Sequence, residues 1–310
     1  YVMKKFFALL MLLVFTVVLS VTTLPAEAKE EFKVAYVPAI TNNSFWLAIE
    51  KPIKEAVRAR GDLYVTIDTP SDQARMNDVI GDLIADKIDI LLVAPLAPAE
   101  IKSALIACKD AGIPVINFET PVMDLDLVAA VVTSDNYNAG VVVARDMMEK
   151  LPRGSKVAVI HSLADGACIE RIKGFYDTIT NYFEVVVELD GKGDTGVTLP
   201  LAENVLQSTS DLAAFFCVND PSALGCMNAL AARPERFVLV YGVDGSPDAK
   251  KLIAAGKMTG TAAQSPNSIG SETIKAAYTI LEREEVKKNI VIPTFLIDKD
   301  NVNRYGTDGW

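Results

Sequence analysis

The chain has 310 residues and a formal net charge of −10 at pH 7, from 30 basic and 40 acidic side chains. This length exceeds that of a usual single domain of ~100 to 200 residues, so two lobes are expected. The sequence has no basic tail or stripe, which makes nucleic acid a poor partner. The four cysteines are too few for a disulfide scaffold, and their spacing matches no common zinc site. We therefore expect neither a metal nor a cofactor.

The N-terminal segment is typical of a secretory signal peptide. Lys4 and Lys5 precede an uncharged apolar run over residues 6–19, and the small-residue site Ala26-Glu27-Ala28 follows. The apolar run is short for a hydrocarbon core ~30 Å thick, which favours cleavage after about Ala28 over membrane anchoring. The sequence thus predicts an exported protein.

Short β-branched runs alternate with amphipathic helical stretches along the rest of the chain. This alternation is typical of βαβ units and predicts parallel sheets covered by helices on both faces. Strands are predicted at Lys33–Val37, Leu63–Ile67, Ile88–Val93, Pro114–Phe118, Ala129–Thr133, Lys156–Ile160, Phe183–Leu189, Ala213–Val218, Phe237–Tyr241 and Met258–Ala263. Helices are predicted at Ala99–Gly112, Asn136–Lys150, Cys168–Asn181, Val197–Gln207, Ser222–Arg233, Asp248–Gly256 and Ser268–Glu285. The expected fold class is α/β, with two doubly wound parallel-sheet lobes and a cleft between them.

Pro52 interrupts what is otherwise one helical pattern from Phe45 to Arg60. A proline kinks a helix when it lies in the interior, whereas it favours the first turn when the helix begins there. The sequence leaves both alternatives open.

Polar and aromatic side chains follow the predicted strands, at the edge where an open α/β sheet binds its ligand. Each has an ordinary alternative role: helix capping for Asn43 and Asp244, core packing for Phe45 and Trp46, turn formation for Asn219, and a surface charge for Arg171. Together they converge on one crevice, which is the hypothesis adopted here. The candidate ligand-binding residues are Asn43, Phe45, Trp46, Glu119, Thr120, Arg171, Asn219, Asp244 and Gln264.

This mixture of groups indicates a polyhydroxylated ligand. Planar amide, carboxylate and guanidinium groups each form paired hydrogen bonds to neighbouring hydroxyls, and aromatic rings cover the apolar face of a sugar ring. Around an apolar ligand, each unpaired polar group would cost about 1 to 3 kcal/mol.

Eight segments in this order resemble the ribose-type family of periplasmic sugar-binding proteins, the substrate receptors of ABC importers. They are TNNSFW, ADKIDILLVAP, AGIPVINFET, TSDNYNAG, ERIKGFYD, FFCVNDPSALGCMNAL, VYGVDGSPDA and AAQSPNSIG. The resemblance covers residues 32–297 and implies the type I periplasmic binding fold. It also implies that Phe45 and Trp46 stack on the sugar. The polar contacts it implies come from Asn43, Arg171, Asn219, Asp244 and Gln264.

Two positions depart from the ribose binders of that family. They carry an Asp-Arg pair where this chain has Glu119-Thr120, and an aromatic residue near Gly193. The resemblance therefore implies a sugar or polyol, and the alternatives are a pentose, a hexose, a deoxysugar and a linear polyol.

The family architecture also implies how the chain divides. It predicts a first lobe of residues 33–133 and 265–293 and a second lobe of 134–264 and 294–310, joined by a three-strand hinge that rotates to close the cleft. The implied partners are a small sugar or polyol and, transiently, a membrane ABC permease. We expect a periplasmic monomer.

Other functions were weighed against this interpretation. Residues 191–196 match G-x-G-x-x-G, but no acidic residue follows at a strand end ~20 residues later, so a glycine-rich turn is favoured over a nucleotide site. A sugar-responsive repressor would need a helix-turn-helix in place of the signal segment. The sequence shows no nucleophile placed beside a general base, so it gives no indication of an enzyme. A sensory sugar receptor and a binder of another ligand, such as a nucleoside, remain alternatives.

Overall fold

The computed structural model describes residues 31–41, 44–67, 72–163 and 166–310. The predicted signal peptide over residues 1–28 and the candidate residue Asn43 lie outside the described residues. Every element below belongs to one unit, residues 33–310.

The described residues form twelve strands. They are β1 Lys33–Val37, β2 Leu63–Thr66, β3 Ile90–Val93, β4 Val115–Phe118, β5 Ala130–Ser134, β6 Lys156–His161, β7 Glu184–Asp190, β8 Leu212–Cys217, β9 Leu239–Asp244, β10 Gly260–Ala263, β11 Asn289–Ile292 and β12 Phe295–Asp298. One sheet has the order β11-β5-β4-β3-β1-β2 and the other the order β12-β10-β9-β8-β6-β7. The chain changes sheet after β5, after β10 and after β11.

Ten α-helices connect these strands in the described part of the chain. They are α1 Ser44–Arg60, α2 Gln73–Ala85, α3 Lys102–Asp110, α4 Asn136–Lys150, α5 Gly166–Ile179, α6 Thr195–Ser208, α7 Asp220–Ala231, α8 Pro247–Ala254, α9 Pro266–Leu281 and α10 Val302–Tyr305. No helix of the described residues combines the length and apolar character that crossing a membrane requires.

Each sheet is covered by helices on both faces, because its strands are almost continuously apolar. In the first lobe, α2 and α3 share a buried cluster with one face of the sheet, and α9 lies on the other face beside α1. In the second lobe, α6, α7 and α8 cover one face and α4 and α5 the other. The predicted two-lobed α/β fold is therefore confirmed.

Two details differ from the sequence prediction. The strands β11 and β12 were not predicted, and β12 pairs with β10 in antiparallel orientation, so the second sheet is only mostly parallel. Both strands have only four residues, and their pairing depends on distant strands rather than on a local pattern.

Pro52 lies inside α1, which runs without interruption from Ser44 to Arg60. Of the two alternatives, a helix start at this proline is therefore wrong. The proline faces α9 at Gly270, where an added Cβ would lie 2.7 Å from Pro52 Cγ and 2.1 Å from the carbonyl oxygen of Ile49. Only a glycine lets these two helices approach so closely.

Candidate ligand-binding cleft

A cleft of about 370 Å³ lies where the carboxyl ends of the two sheets face each other. Its size falls within the usual range for small-molecule sites, ~300 to 1,000 Å³. Eight of the nine candidate residues line it: Phe45, Trp46, Glu119, Thr120, Arg171, Asn219, Asp244 and Gln264. The expected convergence of these side chains is thus observed, although their role in binding stays a prediction.

Phe45 and Trp46 form an aromatic corner on the first-lobe side, at the start of α1. Their ring centroids are 5.9 Å apart and their planes are nearly perpendicular, at 88°. The Trp46 ring also packs edge-on against Phe118 at the end of β4, at 6.2 Å, and only 8% of Trp46 is exposed. Trp46 therefore belongs partly to the core, as its alternative role required, while Phe45 is more exposed.

Glu119 and Thr120 follow β4 in a constrained turn. The backbone φ of Glu119 is +59°, a conformation that residues with side chains rarely adopt and that clusters at functional sites. The Thr120 hydroxyl donates a hydrogen bond to the Glu119 carboxylate. Both side chains are buried, so this carboxylate is fixed in direction rather than free to sample solvent.

Asn117 holds that turn in place, and the sequence analysis did not single it out. Its amide nitrogen donates to the carbonyl oxygens of Val93 and Thr120 at 3.1 and 2.9 Å, and its amide oxygen accepts from the Val122 amide at 3.0 Å. An asparagine in the middle of the apolar run VINF is the signal that could have identified it, since a buried polar group needs partners.

Arg171 lies on α5 and is 3% exposed, so its interpretation as a surface charge is wrong. Its Nε donates to Asn136 Oδ1 at 2.9 Å, and its Nη1 donates to the carbonyl oxygen of Val218 at 2.8 Å. The same Nη1 lies 3.5 Å from Asp244 Oδ1. These contacts fix the guanidinium in the lining of the cleft, with a carboxylate beside it.

Asp244 ends β9, and Gln264 directly follows the neighbouring strand β10. Gln264 Nε2 donates to Asp244 Oδ1 at 2.9 Å. The Gln264 side-chain oxygen is buried and accepts no hydrogen bond from the described residues. A buried acceptor without a protein donor suits a ligand that carries hydroxyl groups.

Asn219 lines the cleft and also caps a helix, a role that was not among those expected for it. Its side-chain oxygen accepts from the Ser222 amide at 3.0 Å and caps α7, while its amide nitrogen donates to the carbonyl oxygen of Gly193 at 3.1 Å. Gly193 lies in the glycine-rich segment, with a positive φ of +65°, and the segment forms a turn that leads into α6. The favoured interpretation of the G-x-G-x-x-G match as a turn agrees with this geometry.

Asp220 lies next to the cleft residue Asp244, because its backbone amide donates to Asp244 Oδ2 at 3.3 Å. It is fully buried; Thr261 donates its hydroxyl to one carboxylate oxygen at 2.6 Å and Ser246 donates its amide to the other at 2.7 Å. Burial, and then the negative charge of Asp244, raise the pKa of Asp220 from 3.8 to about 7.

This raised pKa makes the effect of Asp220→Asn on stability depend on pH. Between about pH 4 and 7 the folded protein keeps the Asp220 proton and the unfolded chain releases it, so this contribution to stability is lost as the pH rises to about 7. Asparagine does not titrate. The free energy of unfolding of the variant relative to wild type should therefore increase over that range, by up to about 4 kcal/mol.

Urea denaturation at a series of pH values measures this difference. Asp110→Asn, at an exposed position on α3, serves as the control for replacing an aspartate with asparagine. A difference between Asp220→Asn and wild type that does not change with pH would show that Asp220 is ionised throughout.

Comparisons with known proteins agree with this architecture. A family model of the periplasmic binding protein domain matches residues 34–285. The chain belongs to this family, and within it to the ribose-type periplasmic sugar-binding proteins.

Three relatives illustrate the similarity. The ribose import binding protein RbsB of Bacillus subtilis is 30% identical over 266 residues, 86% of this chain and 87% of the relative. An ABC transporter solute-binding protein from Mycobacterium smegmatis, solved with bound glycerol, has a TM-score of 0.82 at 27% identity and covers 89% of this chain and 96% of its own. A solute-binding protein from Bacillus halodurans with bound myo-inositol has a TM-score of 0.83 at 25% identity, covering 90% and 98%.

Proposed function

We propose that this protein captures a monosaccharide or polyol in the cleft between its lobes and delivers it, unchanged, to a membrane ABC permease. The observation that carries the proposal is the division of the cleft: two aromatic rings and a fixed carboxylate come from the first lobe, and guanidinium, amide and carboxylate groups come from the second. Neither half alone can surround a ligand, so binding favours the closed arrangement.

The relatives support the same class of ligand. Their names or bound molecules are ribose, glycerol and myo-inositol, all of which are small and rich in hydroxyl groups. The Glu119-Thr120 pair and the buried oxygen of Gln264 offer acceptors to hydroxyl donors, which fits such ligands. We propose that binding involves no catalytic step, that the protein acts as a periplasmic monomer, and that the lobes divide at residues 133/134, 264/265 and 293/294.

A panel of compounds tests this function by their effect on the melting temperature. At ~1,000 times its dissociation constant, a ligand stabilises the folded state by about 4 kcal/mol, which should raise the melting temperature by on the order of 10 °C. We expect such a rise with one class among pentoses, hexoses, deoxysugars and polyols. Mass spectrometry should recover the compound unchanged.

Nucleosides and amino acids in the same panel provide the contrast. A rise confined to them would leave the fold intact and refute the proposed sugar ligand. A bound sugar recovered as a different product would instead show an enzyme. Sugar binding alone does not distinguish transport from sensing, because both partners would recognise the same sugar complex. Uptake of the sugar after reconstitution with a membrane permease would show transport.

A further inference from the structure

Trp310 contacts the aromatic corner of the cleft from outside. Its ring centroid lies 5.2 Å from that of Phe45, with the planes at 74°, which is an edge-to-face pair. Phe45 lines the cleft on the first-lobe side. The segment 306–310 therefore reaches the ring that would stack on the ligand.

That segment is anchored to the second lobe. It follows α10, whose Val302 is 1% exposed within the buried cluster of the second sheet. Lys250 on α8 donates from Nζ to the carbonyl oxygen of Gly309 at 2.6 Å. Only 2% of Lys250 is exposed, so its packing on the second lobe holds the donor of this bond in place. Trp310 is the next residue after Gly309, and its ring contacts Phe45 of the first lobe.

The contact between Trp310 and Phe45 is made by the rings themselves. The indole nitrogen of Trp310 is buried, and no acceptor among the described residues binds it. The second-lobe residues that line the cleft, from Ser162 to Gln264, include no aromatic side chain. Among the described residues, Trp310 is thus the aromatic group that the second lobe brings to Phe45.

We propose that Trp310 is a positioning residue for ligand capture. Held on the second lobe through Gly309 and Lys250, it clamps the Phe45 ring in its stacking orientation and links the two lobes across the cleft. Opening the cleft must pull the two rings apart, so the clamp slows opening of the cleft and release of the ligand. The ring contact also forms in the closed arrangement of the ligand-free protein. The effect on ligand release rests on the proposed function; the ring contact itself does not.

Stopped-flow kinetics with the sugar that gives the largest rise in melting temperature tests the clamp. The interaction energy of an edge-to-face pair corresponds to a change of about 3- to 10-fold in a rate constant. Trp310→Ala should therefore raise the dissociation rate by that factor. The association rate should change less than twofold, because the encounter precedes closure. Trp310→Phe keeps a ring and should restore slow release to within about twofold of wild type.

Tyr305→Ala is the matched control, since Tyr305 ends α10, just before the segment 306–310, and packs on Phe295 of the second lobe, at 4.9 Å. It should leave both rates unchanged. An unchanged dissociation rate for Trp310→Ala, or the same increase for Tyr305→Ala, would overturn the proposal.

A measurement without ligand separates this proposal from the proposed function. The chain has two tryptophans, so Trp46→Phe leaves Trp310 as the only one that emits. In that background, Phe45→Ala should shift the emission maximum to longer wavelength, because removing the ring exposes the indole. An emission maximum that does not respond to Phe45→Ala would refute the ring contact whether or not any sugar binds.

Discussion

Replacing Asp244 with asparagine should weaken sugar binding about 10- to 150-fold. Asp244 is the carboxylate that Arg171 and Gln264 orient in the cleft, and a hydrogen bond to a charged group contributes about 1.5 to 3 kcal/mol. The φ of Asp244 is +137°, and asparagine is among the residues that tolerate positive values best, so the backbone should be retained. Isothermal titration calorimetry measures the change in affinity, and circular dichroism checks the fold.

Asp248→Asn provides the matched control on the same lobe. Its side chain is 70% exposed on α8 and pairs with Lys251 at 3.4 Å at the surface, where such pairs contribute little. The affinity of the Asp248→Asn variant for the sugar should equal that of the wild-type protein. If Asp244→Asn bound the sugar as tightly as this control, the second-lobe carboxylate would have no part in the site.

Replacing Gly140 with alanine should destabilise the protein by about 3 kcal/mol and lower its melting temperature by roughly 6 to 12 °C. Helices α4 and α5 approach so closely that a Cβ on Gly140 would lie 2.0 Å from the carbonyl oxygen of Arg171. A backbone oxygen cannot rotate away as a side chain can. The helices must separate, which displaces Arg171 and should also reduce sugar affinity at least tenfold.

Gly81→Ala is the control for this substitution. Gly81 lies within α2, and an added Cβ would meet no atom within 4 Å. Alanine favours the helix by about 0.5 to 1 kcal/mol relative to glycine, so this variant should be slightly more stable than wild type. Equal stability of the two alanine variants would contradict the close approach of α4 and α5.

The sequence predicted the cleft residues because parallel strands place their carboxyl ends together. Glu119, Asn219, Asp244 and Gln264 each follow a buried apolar run, and a run of that kind is recognisable without knowledge of its partners. The expectation that the candidate residues converge holds for eight of the nine, which line one cleft, and their role in binding stays a prediction. Asn219 is both a helix cap and a cleft residue.

The supporting residues were missed because their role depends on contacts between distant segments. Asn136 accepts a hydrogen bond from Arg171, which lies 35 residues later in the sequence. Lys250 donates one to Gly309, which lies 59 residues later. No periodic pattern in the local sequence predicts such pairs. The short strands β11 and β12 were missed for the same reason, since each is defined by the strand beside which it lies.

The crystal structure of the complex with the sugar selected by the melting panel tests the central claim most directly. We expect one sugar molecule in the cleft, with its ring against Phe45 and Trp46 and its hydroxyls bonded to Arg171, Asp244 and Gln264. Electron density for the sugar outside the cleft, or an empty cleft at saturating concentration, would contradict it.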